Sequence, residues 1–266
     1  MSTPDFTMRD LPHDVDHVAL GEDYTRASEF LGSIDDAIER ERTNGNGAFF
    51  HIVADQWMEL ASLQYLFKQS PEIVTDTAKQ GLQFFMEGLE LGHPLVLSTV
   101  LDYFSAAVAL NDPATAHDIA SAPEKFLGLL DDPGHPLQLL VTAAFVLSVS
   151  DDDEARQNAE LLRSILFESP LDKKYYPMKK EMAGLYNPIV SILDRDAAEF
   201  NRHLMARCEW RAEMFNQDTE GEKPPVVDWP ALGLVCFALD RGLEVTTRHV
   251  YVPLSILEAS GKIRAH

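Results

Sequence analysis

The sequence predicts an all-α protein. Apolar residues recur at helical spacing in nearly every window. Gly, Asn and Pro punctuate those windows at distances suited to helical hairpins. Only Glu244 to Tyr251, through Val245, Thr246, Thr247, Val250 and Tyr251, has marked β-propensity. These features together predict about eleven helices in a solenoid-like array of αα-hairpins of the TPR/HEAT kind, with a short extended segment near the C-terminus.

Ala27, Phe30, Leu31, Ile34 and Ile38 fall on one face of a helix over about residues 24–43. Asn44-Gly45-Asn46-Gly47 ends it, because Gly and Asn suit the left-handed cap. A second helix runs from Ala48 to Gln69, with Phe49, Val53, Trp57, Leu60 and Leu63 inward. Ser70-Pro71-Glu72 supplies a cap and a first turn to the third, which carries Val74, Ala78, Leu82, Phe85 and Leu89. Gly92-His93-Pro94-Leu95 recurs as Gly134-His135-Pro136-Leu137. Each copy precedes an apolar helix, a polar turn (Asn111-Asp112-Pro113, then Ser150 to Asp153) and an amphipathic helix. A repeat near 40 residues is that of paired-helix solenoids. Lys173 to Leu193 and Ala197 to Gln217 read as two more helices, and Asp218 to Val227 as a loop. Asp228-Trp229-Pro230 caps a helix through Leu239, Gly242 ends it, and Leu254 to Ala259 forms a last turn. Residues 1–22 read as an acidic arm and 23–266 as one helical domain. Trp57, Phe85, Phe104, Phe145, Leu162, Phe200 and Leu234 are the expected core.

Charge is divided unevenly along the chain. Residues 1–155 hold 27 Asp+Glu and 7 Lys+Arg, a net of −20, while residues 156–266 hold 16 and 15, a net of −1. Such a field attracts cationic partners and argues against nucleic acid or an anionic membrane, both polyanions. The longest apolar run, Val141 to Val149, is interrupted by Thr142 and Ser148 and falls short of a membrane span. The acidic N-terminus lacks signal-peptide character, so a cytoplasmic protein is expected. Cys208 and Cys236 sit among apolar residues and read as buried free thiols.

Few residues suggest chemistry. Asp10, His13, Asp14, Asp16 and His17 have metal-ligand composition, but no helix fixes their geometry, so no metal and no cofactor are expected. His51 and Asp55 are four apart, as in an oriented base or a surface helix pair. His93 and His135 each precede a proline and read as turn residues. Ser98, Asp102 and Ser105 form a polar stripe on an apolar helix, either a solvated face or a partner-facing groove. Asp131-Asp132 and Asp151-Asp152-Asp153-Glu154 lie at turns, where they cap helices or meet a cationic partner. No Gly-x-Ser-x-Gly, Walker loop, Cys-x-x-Cys or His-Glu-x-x-His is present, so no catalytic residue is assigned.

The C-terminal third has its own signature. It runs Tyr176-Pro177, Tyr186-Asn187-Pro188-Ile189, Leu193-Asp194-Arg195-Asp196 and Phe200-Asn201, then Asp228-Trp229-Pro230-Ala231-Leu232-Gly233-Leu234. Leu239-Asp240-Arg241-Gly242-Leu243-Glu244-Val245 and Tyr251-Val252-Pro253-Leu254-Ser255-Ile256-Leu257 close it. This resembles the immunity protein 49 family of bacterial polymorphic toxin systems, over roughly residues 85–258; Ala106 to Pro123 also fits, whereas Pro224 to Val227 has no counterpart. The resemblance implies a non-enzymatic cytoplasmic antitoxin that binds a cognate toxin encoded beside it. Charge complementarity points to a basic toxin, captured through Asp102, Asp131, Asp132, Asp151, Asp152, Asp153 and Glu154. A helical-repeat adaptor or chaperone for another cationic protein is the alternative.

Overall fold

In a computed structural model the described residues are 17–93, 97–121, 141–145, 151–168, 176–216 and 226–264. Their helices are α1 (His17–Leu31), α2 (Asp35–Asn44), α3 (Gly47–Leu66), α4 (Pro71–Glu90), α5 (Leu97–Ala109) and α6 (Pro113–Ala120). After these come α7 (Asp152–Arg163) with a π-helical turn at Ser164–Glu168, α8 (Tyr176–Leu193), α9 (Ala197–Asn216), α10 (Trp229–Asp240) and α11 (Leu254–Ala259). Residues 141–145 are also helical. The second Gly-His-Pro-Leu copy lies outside the described residues.

Local chemistry accounts for most boundaries. The side chains of Asn46, Ser70, Asp112, Asp151 and Asp228 accept from the backbone N–H three residues on, which satisfies a donor that the helix leaves unpaired. Pro71, Pro113 and Pro230 follow in first turns, where a missing N–H costs nothing. Gly45 closes α2 at φ +68°. The single helix expected over 24–43 is two helices, and α1 begins within the stretch expected to be an arm. The break comes at Gly32-Ser33, poor helix formers; the Ser33 hydroxyl donates to the Phe30 carbonyl at 2.9 Å, and Ile34 turns inward.

The α3/α4 and α8/α9 hairpins anchor the two ends of the chain, with α1 and α2 on α3 and α7 on α8. A solenoid would pack each hairpin only on its neighbours. Here the chain returns instead: α10 packs on α5 and α8, and α11 packs on α4. The Ser260 hydroxyl donates to the Ala109 carbonyl at 2.8 Å across that return. The crossing of α5 and α10 is close because Gly233 faces Ser105; a Cβ there would lie 2.8 Å from the Ser105 Cβ. Residues Trp229–Ala238 are all buried, so α10 is enclosed on every side. Apolar residues all round a helix are what such a position requires.

Phe85, Phe104, Leu162, Phe200 and Leu234 are buried as expected. Trp57 and Phe145 are half-buried, Phe145 packing edge-on to Phe104 with ring centroids 4.6 Å apart.

No strand forms among the described residues. Residues 243–248 are non-helical, and His249 and Val252 make one isolated antiparallel bridge. Leu243, Val245 and Thr247 are buried while Glu244, Thr246 and Arg248 are exposed, the period of two that the sequence pattern suggested. Instead of a partner strand, Asn201 of α9 holds this segment. Its Oδ1 accepts from the Thr246 and Thr247 amides at 2.7 and 2.9 Å, and its Nδ2 donates to the Glu244 carbonyl at 2.8 Å. Asn201→Ala therefore removes three hydrogen bonds to exposed or half-buried backbone groups, each worth about 0.5–1.5 kcal/mol. Hydrogen exchange at the Thr246 and Thr247 amides should accelerate while α3 and α4 stay protected; unchanged exchange there would remove Asn201 from this role.

Candidate functional site

Among the described residues, most cations of the C-terminal part are engaged internally. Arg207 of α9 and Asp228 form a bidentate pair at 2.6 and 2.9 Å, with both side chains 1% exposed. Arg211 lies 3.7 Å from the same carboxylate, and Arg207 also donates to the Glu181 carbonyl. Burial alone would raise the Asp228 carboxyl, but Arg207 and then Arg211 hold it below its ordinary range. Nearer α7, Asp152 accepts from Arg241 at 3.0 and 2.5 Å and from Arg195 at 2.9 Å. Arg156 bonds Asp194 at 2.8 Å and the Leu193 carbonyl at 3.0 Å. The hydrogen bonds from Arg241 are the first cause of a lowered Asp152 carboxyl.

The N-terminal part has fewer cations, and several of these are paired as well: Arg26 with Asp23, Arg40 with Glu41, and Arg42 with Glu39 and Glu87. Helices α1 and α3 bring Asp23, Asp55 and Glu59 to neighbouring positions, and α5 carries Asp102. The Tyr103 hydroxyl donates to Asp55 at 2.7 Å and ties α5 to α3. Glu59 is raised above its ordinary value by burial first and by Asp23 next. Asp102 keeps exposed surface, yet protein crowds its carboxyl from α5, α8, α9 and the start of α10. Its accessibility means the site is not sealed; the crowding is what moves its proton affinity. Desolvation pushes it up to about 7; Asp228 and Glu181 add to this, and Arg211 and Arg207 oppose it. Neither Glu59 nor Asp102 forms an ion pair among the described residues. An acidic, accessible, charge-strained face of this kind suits a cationic partner.

A family model for immunity protein 49 matches residues 30–256, most of the chain. The chain belongs to the immunity protein 49 family. Membership points to an immunity protein of a toxin system, in a family that is generally non-enzymatic. The match reaches well into the N-terminal part, beyond the region where the resemblance is legible by eye. Neither the curated proteins nor the solved structures give a match.

The expected contact residues fall into different settings. Asp102 lies on the acidic face, while the side chain of Ser98 is outside the described part and Ser105 is buried against α10. Asp151 caps α7, and Asp152 is bound by two arginines. Asp153 and Glu154 are exposed. Asp131, Asp132 and His135 lie outside the described residues, as do Asp10, His13, Asp14 and Asp16.

His51 and Asp55 do not pair. Asp55 turns to Tyr103, and His51 is buried beside Phe85 and His93, with ring centroids at 5.5 and 5.2 Å. Gly88 makes this possible, since a Cβ there would meet the ring at 2.6 Å. Burial pushes His51 down to about 4; the approach of the His93 main chain opposes this, and the His93 ring charge adds to it. Both cysteines are buried, which raises their thiols to about 12. No group of three or more metal-ligating side chains occurs among the described residues, and no helix there is long and apolar enough to cross a membrane. The site residues that the sequence reading missed are Glu59 and Tyr103, while Asp55 was singled out there as a partner of His51 and not of Tyr103. Their acidic and aromatic types were visible, but their juxtaposition across two helices was not.

Two predictions follow from these charges. Asp228→Ala leaves Arg207 buried without a counter-charge and should cost about 3–5 kcal/mol. Arg207→Met combined with Asp228→Leu should recover part of that loss; chemical denaturation measures both. Asp102 behaves differently. Its folded-state carboxyl lies near 7 against an ordinary 3.8, so the fold favours the protonated form. The stability this provides is present at acid pH and is lost as pH rises through that interval. Asp102→Asn should therefore raise the melting temperature at pH 8 more than at pH 5. An equal or reversed effect would show that Asp102 is not strained.

Proposed function

We propose that this member of the family binds and neutralises a cognate toxin domain with a basic surface, inside the cell that makes both. The observation that supports this reading is the acidic excess of the first part of the chain, a net of −20 over residues 1–155, with Asp102, Asp153 and Glu154 on its exposed surface. Capturing such a toxin brings cations to carboxylates that are strained in the free protein, so binding relieves repulsion as well as adding contacts. The proposed contacts are Asp102, Asp131, Asp132, Asp151, Asp152, Asp153 and Glu154. Asp102, Asp151, Asp153 and Glu154 are the exposed members among the described residues, and Asp152 is half-buried. Asp151 and Asp152 also have structural work, as cap and as arginine ligand. Inhibition needs no catalysis: a bound acidic surface covers the basic cleft through which the toxin would hold its own substrate.

The test uses the toxin domain encoded beside this gene. Asp153→Asn with Glu154→Gln should slow its association at low salt by up to about tenfold and much less at high salt, because the Debye length shortens. Thermal stability should be unchanged for that pair, whereas Asp152→Asn should lower it by freeing Arg241 and Arg195. Association that keeps its rate and salt slope in every variant, Asp102→Asn included, would sink the electrostatic capture model.

A further inference from the structure

Helices α3 and α4 meet at a corner built around a histidine. His51 lies one turn into α3 and is 7% exposed. Its ring rests against Phe85 of α4 and against the ring of His93, which is half-buried just after α4. Two glycines let the backbones come this close. A Cβ on Gly88 would lie 2.6 Å from the His51 ring. One on Gly47 would lie 2.7 Å from the His93 Cβ and 2.8 Å from the Gly88 carbonyl oxygen. The start of α3 and the end of α4 thus close directly on the two imidazoles. Arg42 of α2 adds a tie across the same corner, donating to Glu87 at 3.0 Å.

This setting suits a neutral ring. Neither ring nitrogen of His51 has a hydrogen-bond partner among the described residues. The approach of the His93 main chain favours the charged ring, but burial outweighs it and the charge of the His93 ring opposes it. The carboxylates of the surrounding helices face elsewhere. Asp55 accepts from Tyr103, Glu87 from Arg42, and Glu41 of α2 from Arg40 and Asn46. Asp23 of α1 lies by Glu59, and Asp102 of α5 lies by Arg211 and Asp228. Glu90 of α4 and Glu258 of α11 are exposed. A proton on His51 therefore arrives among apolar groups, without a counter-charge and beside a second imidazole.

We propose that His51 and His93 form an acid-sensitive latch, which holds the start of α3 on the end of α4 while both rings are neutral and parts that corner when they are protonated. The latch belongs to the free chain and does not depend on toxin capture. Its working range follows from His51. Burial lowers that imidazole from an ordinary 6.5 to about 4, so the fold favours the neutral ring. The stability this provides is fully present above 6.5 and is lost as pH falls toward 4.

Hydrogen exchange in the full chain reads the latch locally. The His93 amide, which donates to the Gly88 carbonyl at 3.3 Å, and the His51 amide within α3 are the reporters. After correction for intrinsic exchange, their protection should fall by about tenfold or more between pH 8 and pH 5. Protection of Ile192 and Leu204 in the α8/α9 hairpin should change by less than about twofold. Constant protection at the two reporters would overturn the latch, and so would an equal fall in α8 and α9, the mark of general acid unfolding. His51→Met keeps a flexible apolar side chain in place and should reduce the fall at the His93 amide to less than about twofold. An undiminished fall in that variant would overturn the latch. If His51→Met does not fold, the ring signals of the unaltered chain decide by NMR. A His51 midpoint below about 5.5 supports the latch, and one above it overturns the latch.

Discussion

The ion pair between Arg207 and Asp228 carries a chain of dependence through the fold. Helix α10 is buried on all sides, so the unpaired amides at its start have no water to turn to. Asp228 accepts from the Ala231 amide at 3.2 Å, and Pro230 removes one donor altogether. A buried carboxylate in turn needs a cation, and a buried guanidinium needs acceptors. Arg207 and Asp228 satisfy each other, with the Glu181 carbonyl as a further acceptor. Gly184 of α8 leaves room for Arg207, whose Nη1 would lie 3.4 Å from a Cβ placed there. The Asp228 amide donates to the Tyr251 carbonyl at 2.9 Å, which draws in the C-terminal segment. Helices α8, α9 and α10 and the stretch before α11 thus share one buried polar joint.

The same economy explains the lopsided charge. The near-neutral C-terminal part keeps its cations at work inside the fold: Arg156 on Asp194, Arg195 and Arg241 on Asp152, Lys180 on Glu213, Lys262 on Asp240. Asp152 belongs to the acidic part by sequence but to this internal network in space, so the division of charge along the chain is not the division across the surface. What remains is the excess of carboxylates over cations in the N-terminal part. The residues through which the family resemblance was first seen tell a consistent story. Asp194, Arg195, Asn201, Asp228 and Arg241 are all structural ligands of this frame, and none lies on the acidic face. Those residues therefore mark a scaffold, and the proposed partner-facing carboxylates are other residues of the chain.

The sequence by itself determined the all-α class, most helix boundaries among the described residues, the capping residues and the burial of Phe85, Phe104 and Phe200, though not that of Phe50 and Tyr251. These depend on short-range physics: 3.6-residue periodicity, the hydrogen-bonding of Asp, Ser and Asn at helix starts, and the backbone freedom of Gly at helix ends. It also exposed the acidic excess, which is a matter of counting. Only the tertiary structure decided that α10 is the enclosed helix and that the chain closes on α4 and α5 instead of stacking outward. Only there does Asn201 replace a partner strand, His51 leave Asp55 for the interior, and Asp152 become an arginine ligand. Each of these pairings joins residues tens of positions apart, and local periodicity fixes which way a side chain faces without fixing what it will meet.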